Sequence, residues 1–307
     1  MEHYRRDDLT FDVRDAGPPD GPVVVLLHGF PQHNDSWDAV IDRLTAAGYR
    51  CLAPNQRGYS PGARPSRRRD YRMPELVADV GALIDASGAQ RVHLVGHDWG
   101  AAVAWAAAAE IPERLATVSP ISVPHPSAFI KSFATSRQGL ASWYMYLFQL
   151  PRIPEWLLMR RNGAIAAHFL RQSGQTPVAA ERDVRAMTGP GPMRAAINWY
   201  RAIPLSNPRA NNQKVAVPTM YVWSDKDTAL LPKAAHDTAR YVSGEYRFEI
   251  LPGVSHWIPD EQPEARRSAA RVVRRPLSDP VDSVRPLARG LLDRFVAEDG
   301  GAQHFAL

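Results

Sequence analysis

The stretch GHDWG, residues 96–100, follows the apolar run RVHLV at 91–95 and precedes AAVAWAAAAEIPERL at 101–115. Two glycines thus bracket one carboxylate between a segment that reads as a buried strand and one that reads as a helix. A charge in such a place is costly unless chemistry uses it. Glycine, any residue, nucleophile, any residue, glycine between strand and helix is the nucleophile elbow. Its glycines allow a turn too tight for side chains, and its central residue is pushed into the open. Asp98 stands where serine is usual. A helix-capping aspartate is the other use of such a residue, and the rest of the chain decides between the two.

Working outward, PVVVLLH (22–28) is a continuous β-branched and leucine run, as in a strand covered on both faces of a mostly parallel sheet. A helix is predicted over 35–47, with Trp37, Val40, Ile41 and Leu44 at helical spacing and Gly48 as its stop. YRCLAPN (49–55) reads as the next strand, residues 73–88 as a helix with Pro74 in its first turn, and ATVSPISV (116–123) as a strand. After a gap, strands return at 218–225 and 246–253, with a helix near 232–241 between them and another starting after Pro263. This alternation predicts an α/β fold with a mostly parallel, doubly wound sheet.

The rhythm fails between 124 and 213, where SWYMYLFQLPRIPEWLLMRR (142–161) is rich in aromatics and broken by Pro151 and Pro154. An inserted helical cap is expected there. The core is then 1–123 together with 214–275, followed by an extension over 276–307. In that extension Leu287, Leu291 and Phe295 have the spacing of a short amphipathic helix.

With 307 residues, 45% of them apolar, the chain can bury a substantial core. The net charge of +5 comes almost wholly from arginine, lysine occurring only at 131, 214, 226 and 233. SRRRD (66–70) and the basic stretch 266–275 read as solvated faces rather than nucleic-acid or membrane contacts, since no stacking aromatics interleave them. Cys51 is alone, which excludes a disulfide framework and a thiolate metal site; no metal and no cofactor are expected. MEHYRRDDLTF has basic residues with no apolar core behind them, against a secretory signal, and no run approaches the roughly 18 apolar residues of a membrane span. A soluble cytoplasmic protein acting on a small molecule is expected, with a homodimer left open as its assembly.

Two partners for Asp98 lie downstream in the chain order the elbow fold requires, nucleophile, acid, histidine. The acid is Asp225 or Asp227, after TMYVWS, and the histidine is His256 in LPGVSHWIPDEQPE, just past the last strand. Upstream, HGFPQ (28–32) closes the strand VVVLL with a glycine turn whose backbone N–H can help form an oxyanion hole.

Together these residues resemble the α/β-hydrolase superfamily and, within it, the epoxide hydrolase branch, over roughly residues 4–264. The branch carries an HGxP turn, matched by His28, Gly29, Phe30 and Pro31, and an aspartate nucleophile in GHDWG, matched by Asp98. Its acid lies in a stretch similar to SDKDTALLP, which selects Asp227, and its histidine in one similar to GVSHW, which selects His256. Its two cap tyrosines lie in stretches similar to YMYLFQ and NWYR, which select Tyr144, with Tyr146 as a substitute, and Tyr200.

The resemblance implies hydrolysis of an epoxide to a vicinal diol. Asp98 attacks carbon to give an alkyl ester, and two neutral phenols hold the departing oxygen. Water activated by His256, which Asp227 orients, cleaves the ester, with the Phe30 and Trp99 N–H groups meeting the oxyanion. A serine in place of Asp98 would form an ether, which water does not readily cleave. The segment 140–159 is expected to line an apolar pocket, with Trp143, Phe148 and Trp257 contacting a lipophilic substrate. A haloalkane dehalogenase uses the same aspartate but needs a second halide donor, often asparagine, where this chain has Phe30. A fluoroacetate dehalogenase reads its substrate with arginines after the nucleophile, where this chain has Trp99, Gly100 and alanines. A non-enzymatic binding protein of the same fold would have no use for an intact triad.

Overall fold

The apolar run at residue 23 becomes the centre of an eight-stranded sheet in a computed structural model that describes residues 1–206 and 213–261. The strands are β1 (His3–Arg6), β2 (Leu9–Ala16), β3 (Val23–Leu27), β4 (Arg50–Pro54), β5 (Val92–His97), β6 (Leu115–Ile121), β7 (Thr219–Ser224) and β8 (Tyr246–Leu251), in the order β1-β2-β4-β3-β5-β6-β7-β8. From β4 to β8 every pairing is parallel, whereas β1, β2 and β4 pair antiparallel. All five side chains of β3 are buried, as expected of a strand covered on both faces. Each such aliphatic side chain contributes about 1.5–3 kcal/mol on burial.

Helices α1 (Asp38–Ala46), α2 (Met73–Ser87) and α3 (Trp99–Glu110) connect the first parallel strands. In α1, Val40, Ile41 and Leu44 form the buried stripe, and the turn before it, 34–37, is a 3-10 helix rather than the first turn of one longer helix. α2 has Pro74 in its first turn and stops at Gly88, whose φ of 77° lets the chain reverse. α3 is alanine-rich and buried on most sides, so it packs closely on the sheet.

Between β6 and β7 the longer elements of the described chain are helices: α4 (Pro126–Thr135), α5 (Gln138–Ala141), α6 (Trp143–Leu147), α7 (Ile153–Gln172), α8 (Pro177–Ala186) and α9 (Pro192–Ala202). Within α7 the backbone departs from helical geometry at Arg160 and runs through Arg161, Asn162 and Gly163 at φ of 55°, 55° and 83°, which divides it into two segments. After β7 come α10 (Pro232–Asp237), shorter than the predicted 232–241 because its end tightens into a 3-10 turn, and α11 (Ile258–Glu261). The helix expected after Pro263, the end of the core, residues 207–212 of the insertion and the extension 276–307 lie outside the described residues.

The β1–β2 hairpin was not among the expected elements. Its strands are mostly polar, and only Tyr4, Phe11 and Val13 turn inward and are buried. Arg6 of β1 donates to the buried Asp79 of α2 at 2.9 Å. Asp79 also holds Arg57 through both of its oxygens, at 2.7 Å each.

Candidate active site

Strand register builds the site. Leu27 of β3 lies opposite Gly96 of β5, so the residues that leave these strands emerge side by side at the carboxyl edge of the sheet. There the Phe30 N–H donates to Asp98 Oδ1 at 2.8 Å. Asp98 has φ 51° and ψ −118°, a conformation side chains rarely adopt. Backbone contacts on both sides fix it. A Cβ on Gly96 would lie 2.1 Å from the Gly100 carbonyl oxygen, and one on Gly100 would lie 2.2 Å from that of Leu27. The two glycines are therefore a requirement of close approach.

β7 and β8 supply the remaining polar groups. Ser224 and Leu251 are paired at the ends of these strands, and the loops beyond them bring Asp227 and His256 together. His256 Nδ1 donates to Asp227 Oδ2 at 2.7 Å, while Nε2 faces Asp98 Oδ2 at 3.5 Å. Asp227 Oδ1 accepts the N–H groups of Ala229 and Leu230 at 2.8 and 2.9 Å, which fixes the carboxylate. Asp225 stands elsewhere, its carboxylate accepting the Gly253 N–H at the surface.

Burial opposes a charge on His256, but Asp227 and Asp98 outweigh it and lift the imidazole from its ordinary 6.5 to about 10. Burial likewise opposes the Asp98 charge, and the interactions with His256 and His97 and the Phe30 N–H overcome it, so its carboxyl sits below the usual range. The pair is thus poised as carboxylate and imidazolium.

Above Asp98, α6 and α9 bring in a cluster of rings. The ring of Tyr200 lies 5.4 Å from Phe30, 5.0 Å from Trp99, 4.9 Å from Phe148 and 6.0 Å from Tyr144, each edge-on. Burial and the Asp98 charge raise both phenols well above their ordinary value, with the Trp99 side chain opposing the shift at Tyr200. Each therefore stays protonated and able to donate. α9 is anchored by Trp199, whose indole N–H donates to the Arg57 carbonyl at 2.8 Å.

Of the residues singled out from sequence, Asp98, His256, Asp227, Phe30, Trp99, Tyr144, Tyr200 and Phe148 converge here. Tyr146 does not; it is 63% exposed, so Tyr144 is the tyrosine of α6 that faces the cluster. Trp143 is a correction. It is 53% exposed and its ring neighbours Phe169, because with Tyr144 and Phe148 turned inward at i and i+4 the preceding residue must point out. Leu150, Ile153 and Trp156, of the segment 140–159 expected to contribute the pocket lining, are also exposed. Trp257 is buried against the rings of His256 and His97, with its indole N–H donated to Ser173, and so serves as a wall behind the histidine.

Sequence reasoning passed over a polar chain behind the site, although its members His97, Gln32 and Asp260 all lie inside the quoted stretches. His97 spans 2.8 Å to the Gln32 side chain and 2.9 Å to the His256 carbonyl, and Gln32 in turn donates to Asp260 at 2.9 Å. His28 is tied to Gln56, which donates its N–H to Nε2 at 3.1 Å. Burial holds both imidazoles low, His28 at about 3 and His97 at about 4, so they act as neutral braces. Among the described residues no group of three or more His, Cys, Asp or Glu side chains is arranged to hold a metal ion, and no helix is long and apolar enough to cross a membrane.

Comparison with known proteins matches residues 22–263 to the alpha/beta hydrolase fold family. The chain is similar to the AB hydrolase superfamily protein YfhM of Bacillus subtilis, 35% identical over 261 residues that cover 83% of this chain and 91% of the relative. It is 32% identical to epoxide hydrolase A of Mycobacterium tuberculosis, over 82% of this chain and 89% of that one. The solved structure of epoxide hydrolase A from Mycobacterium thermoresistibile superimposes with a TM-score of 0.76 at 26% identity, covering 89% of this chain and 97% of that chain.

Proposed function

The chain belongs to the epoxide hydrolase branch of the α/β-hydrolase fold family, and from that premise we propose that it converts a lipophilic epoxide to a vicinal diol through an alkyl ester on Asp98. The observation that carries this reading is the unequal treatment of the two carboxylate oxygens. Oδ1 is held by the Phe30 N–H, which leaves Oδ2 to attack carbon beneath the phenols of Tyr144 and Tyr200.

As the ring C–O bond breaks, a phenol gives its proton to the departing oxygen, and His256, charged at rest, returns a proton to the phenolate. Alkylation also removes one of the two anions that lift His256 to about 10, so the imidazole becomes a competent base when one is needed. Neutral His256 then takes a proton from water, which adds to the ester carbon. The oxyanion on Oδ1 meets the N–H groups of Phe30 and Trp99. Collapse breaks the carbonyl carbon–alkoxy bond, and the leaving oxygen takes its proton from the new carboxyl. Asp98 is again a carboxylate, His256 an imidazolium and both tyrosines neutral. Helices α4–α9 act as the cap, supplying both phenols and, with Phe148 and Phe30, an apolar surface that suits lipophilic epoxides.

Intact-mass measurement on the His256→Gln protein with styrene oxide tests the central step. A mass gain equal to one epoxide, mapped to the peptide carrying Asp98, is expected because the ester forms and then persists. No gain, or a gain mapped elsewhere, would overturn it. The dehalogenase alternative is separated by product, since bromide released from 1-bromobutane without diol from styrene oxide would favour it.

A further inference from the structure

The first half of the helical insertion carries a charge excess equal to that of the whole molecule. Between residues 126 and 172 lie six cations, Lys131, Arg137, Arg152, Arg160, Arg161 and Arg171, against one carboxylate, Glu155, an excess that matches the +5 of the full chain. Glu155 is spent internally on the buried Arg201, at 2.5 Å. The six cations are exposed, and none of the five arginines pairs with a carboxylate among the described residues.

Large exposed apolar side chains lie between Arg137 and Arg160 of this cationic stretch. Leu140, Trp143, Tyr146, Leu150, Ile153 and Trp156 recur every three or four residues from α5 into α7, with exposures from 44% to 75%. Phe169 joins them across the insertion, 6.4 Å from Trp143, and the Arg160 guanidinium lies 4.9 Å from the centroid of the Trp156 ring. Just beyond it, the left-handed turn at 161–163 holds Arg161 at the surface. α6 is therefore two-sided, with Tyr144 and Phe148 toward the ring cluster and Trp143 and Tyr146 toward solvent.

We propose that this outer face of the insertion docks the protein on an anionic lipid surface. An exposed apolar patch of this extent on a soluble fold marks an interaction site. Trp and Tyr are the side chains that settle at headgroup depth, and arginines beside them lay their stems along apolar surface while their heads reach phosphate. A second copy is a poorer occupant, because two faces of the same excess charge would meet. Nucleic acid is poorer too, since Leu140, Leu150 and Ile153 neither stack on bases nor bond to them. The sequence assigned the charge runs to solvent; this face differs from SRRRD at 66–70 in having aromatics threaded through it. Uptake of a lipophilic epoxide from the bilayer would rest on the proposed function, whereas the docking itself does not.

Co-sedimentation of the full chain with phosphatidylglycerol vesicles, with phosphatidylcholine vesicles as the neutral control, tests the proposal without recourse to activity. The wild type should pellet with anionic vesicles at low salt, remain in solution with neutral ones and be released by high salt. Two double variants, Arg160→Glu with Arg161→Glu and Leu140→Ser with Trp156→Ser, should each lower the partition at least about tenfold at an unchanged Tm. They isolate this face from the basic stretch at 266–275. The proposal fails if the wild type ignores anionic vesicles, if either folded variant binds as the wild type does, or if the free protein is a dimer that these variants dissociate. Retention on heparin with no vesicle binding would also overturn it.

Discussion

At the sheet edge, the Asp98 carboxylate is positioned by backbone: a strained φ, two glycines with no room for a Cβ, and the Phe30 N–H that register places beside it. In the helical insertion, the Tyr144 and Tyr200 rings are packed edge-on, and α9 is tied by the Trp199 indole to the Arg57 carbonyl, by Gln149 to the Tyr200 carbonyl and by Arg201 to the Phe148 carbonyl. The first arrangement can take up only one geometry. The second can repack, because flat side chains tolerate small rotations that a backbone turn does not. A site assembled from both can keep its carboxylate fixed while the groups above it adapt.

The widest separation of the two halves should come from activity. Asp98→Asn removes the proposed nucleophile and should cost diol formation about 10⁴-fold or more in a protein that still folds; a slow return of rate would mark hydrolysis of the amide back to the acid, and full initial rate would sink the assignment. Replacing both cap tyrosines, Tyr144→Phe with Tyr200→Phe, should slow ring opening by about 10²–10⁴-fold, and either change alone by less because one donor remains. Equal loss from one tyrosine and from both would show that they do not share the task. In stability, Gly100→Ala should cost roughly 3 kcal/mol by denaturant unfolding, since its Cβ meets the Leu27 carbonyl. Trp143→Ser, on the outer face, should shift stability by less than about 0.5 kcal/mol.

The smallest effect is one of titration. His256 is raised from 6.5 to about 10, so its contribution to stability is complete below about pH 6.5 and is lost as pH rises through about 10. Asp98→Asn removes one of the anions that raise it, so NMR titration should find His256 in that variant below its wild-type value. An unchanged value would mean that Asp227 alone sets it.

What sequence reveals follows the same division. GHDWG and VVVLL were legible because local backbone needs, a turn without side chains and a strand buried on both faces, leave a direct imprint on residue choice. The β1–β2 hairpin was not, because its inward residues are three among many charges. In the same helix Trp143 turns outward and Tyr144 toward the ring cluster, a distinction the sequence does not carry, since an aromatic-rich stretch reveals that rings pack but not which way the helix is turned. His97, Gln32 and Asp260 escaped notice because their contacts join residues 65 to 228 positions apart, and no local pattern records them.

The chain of contacts from Arg6 through Asp79 and Arg57 to Trp199 has a consequence beyond support. It links the outermost strand to the helix that bears Tyr200, so the hydroxyl inherits its alignment from the far margin of the sheet. If the proposed roles hold, a lesion at that margin, such as Arg6→Ala, should therefore behave as a defect of proton donation, slowing in single-turnover measurements the formation of the proposed ester on Asp98 while its later hydrolysis proceeds at the normal pace.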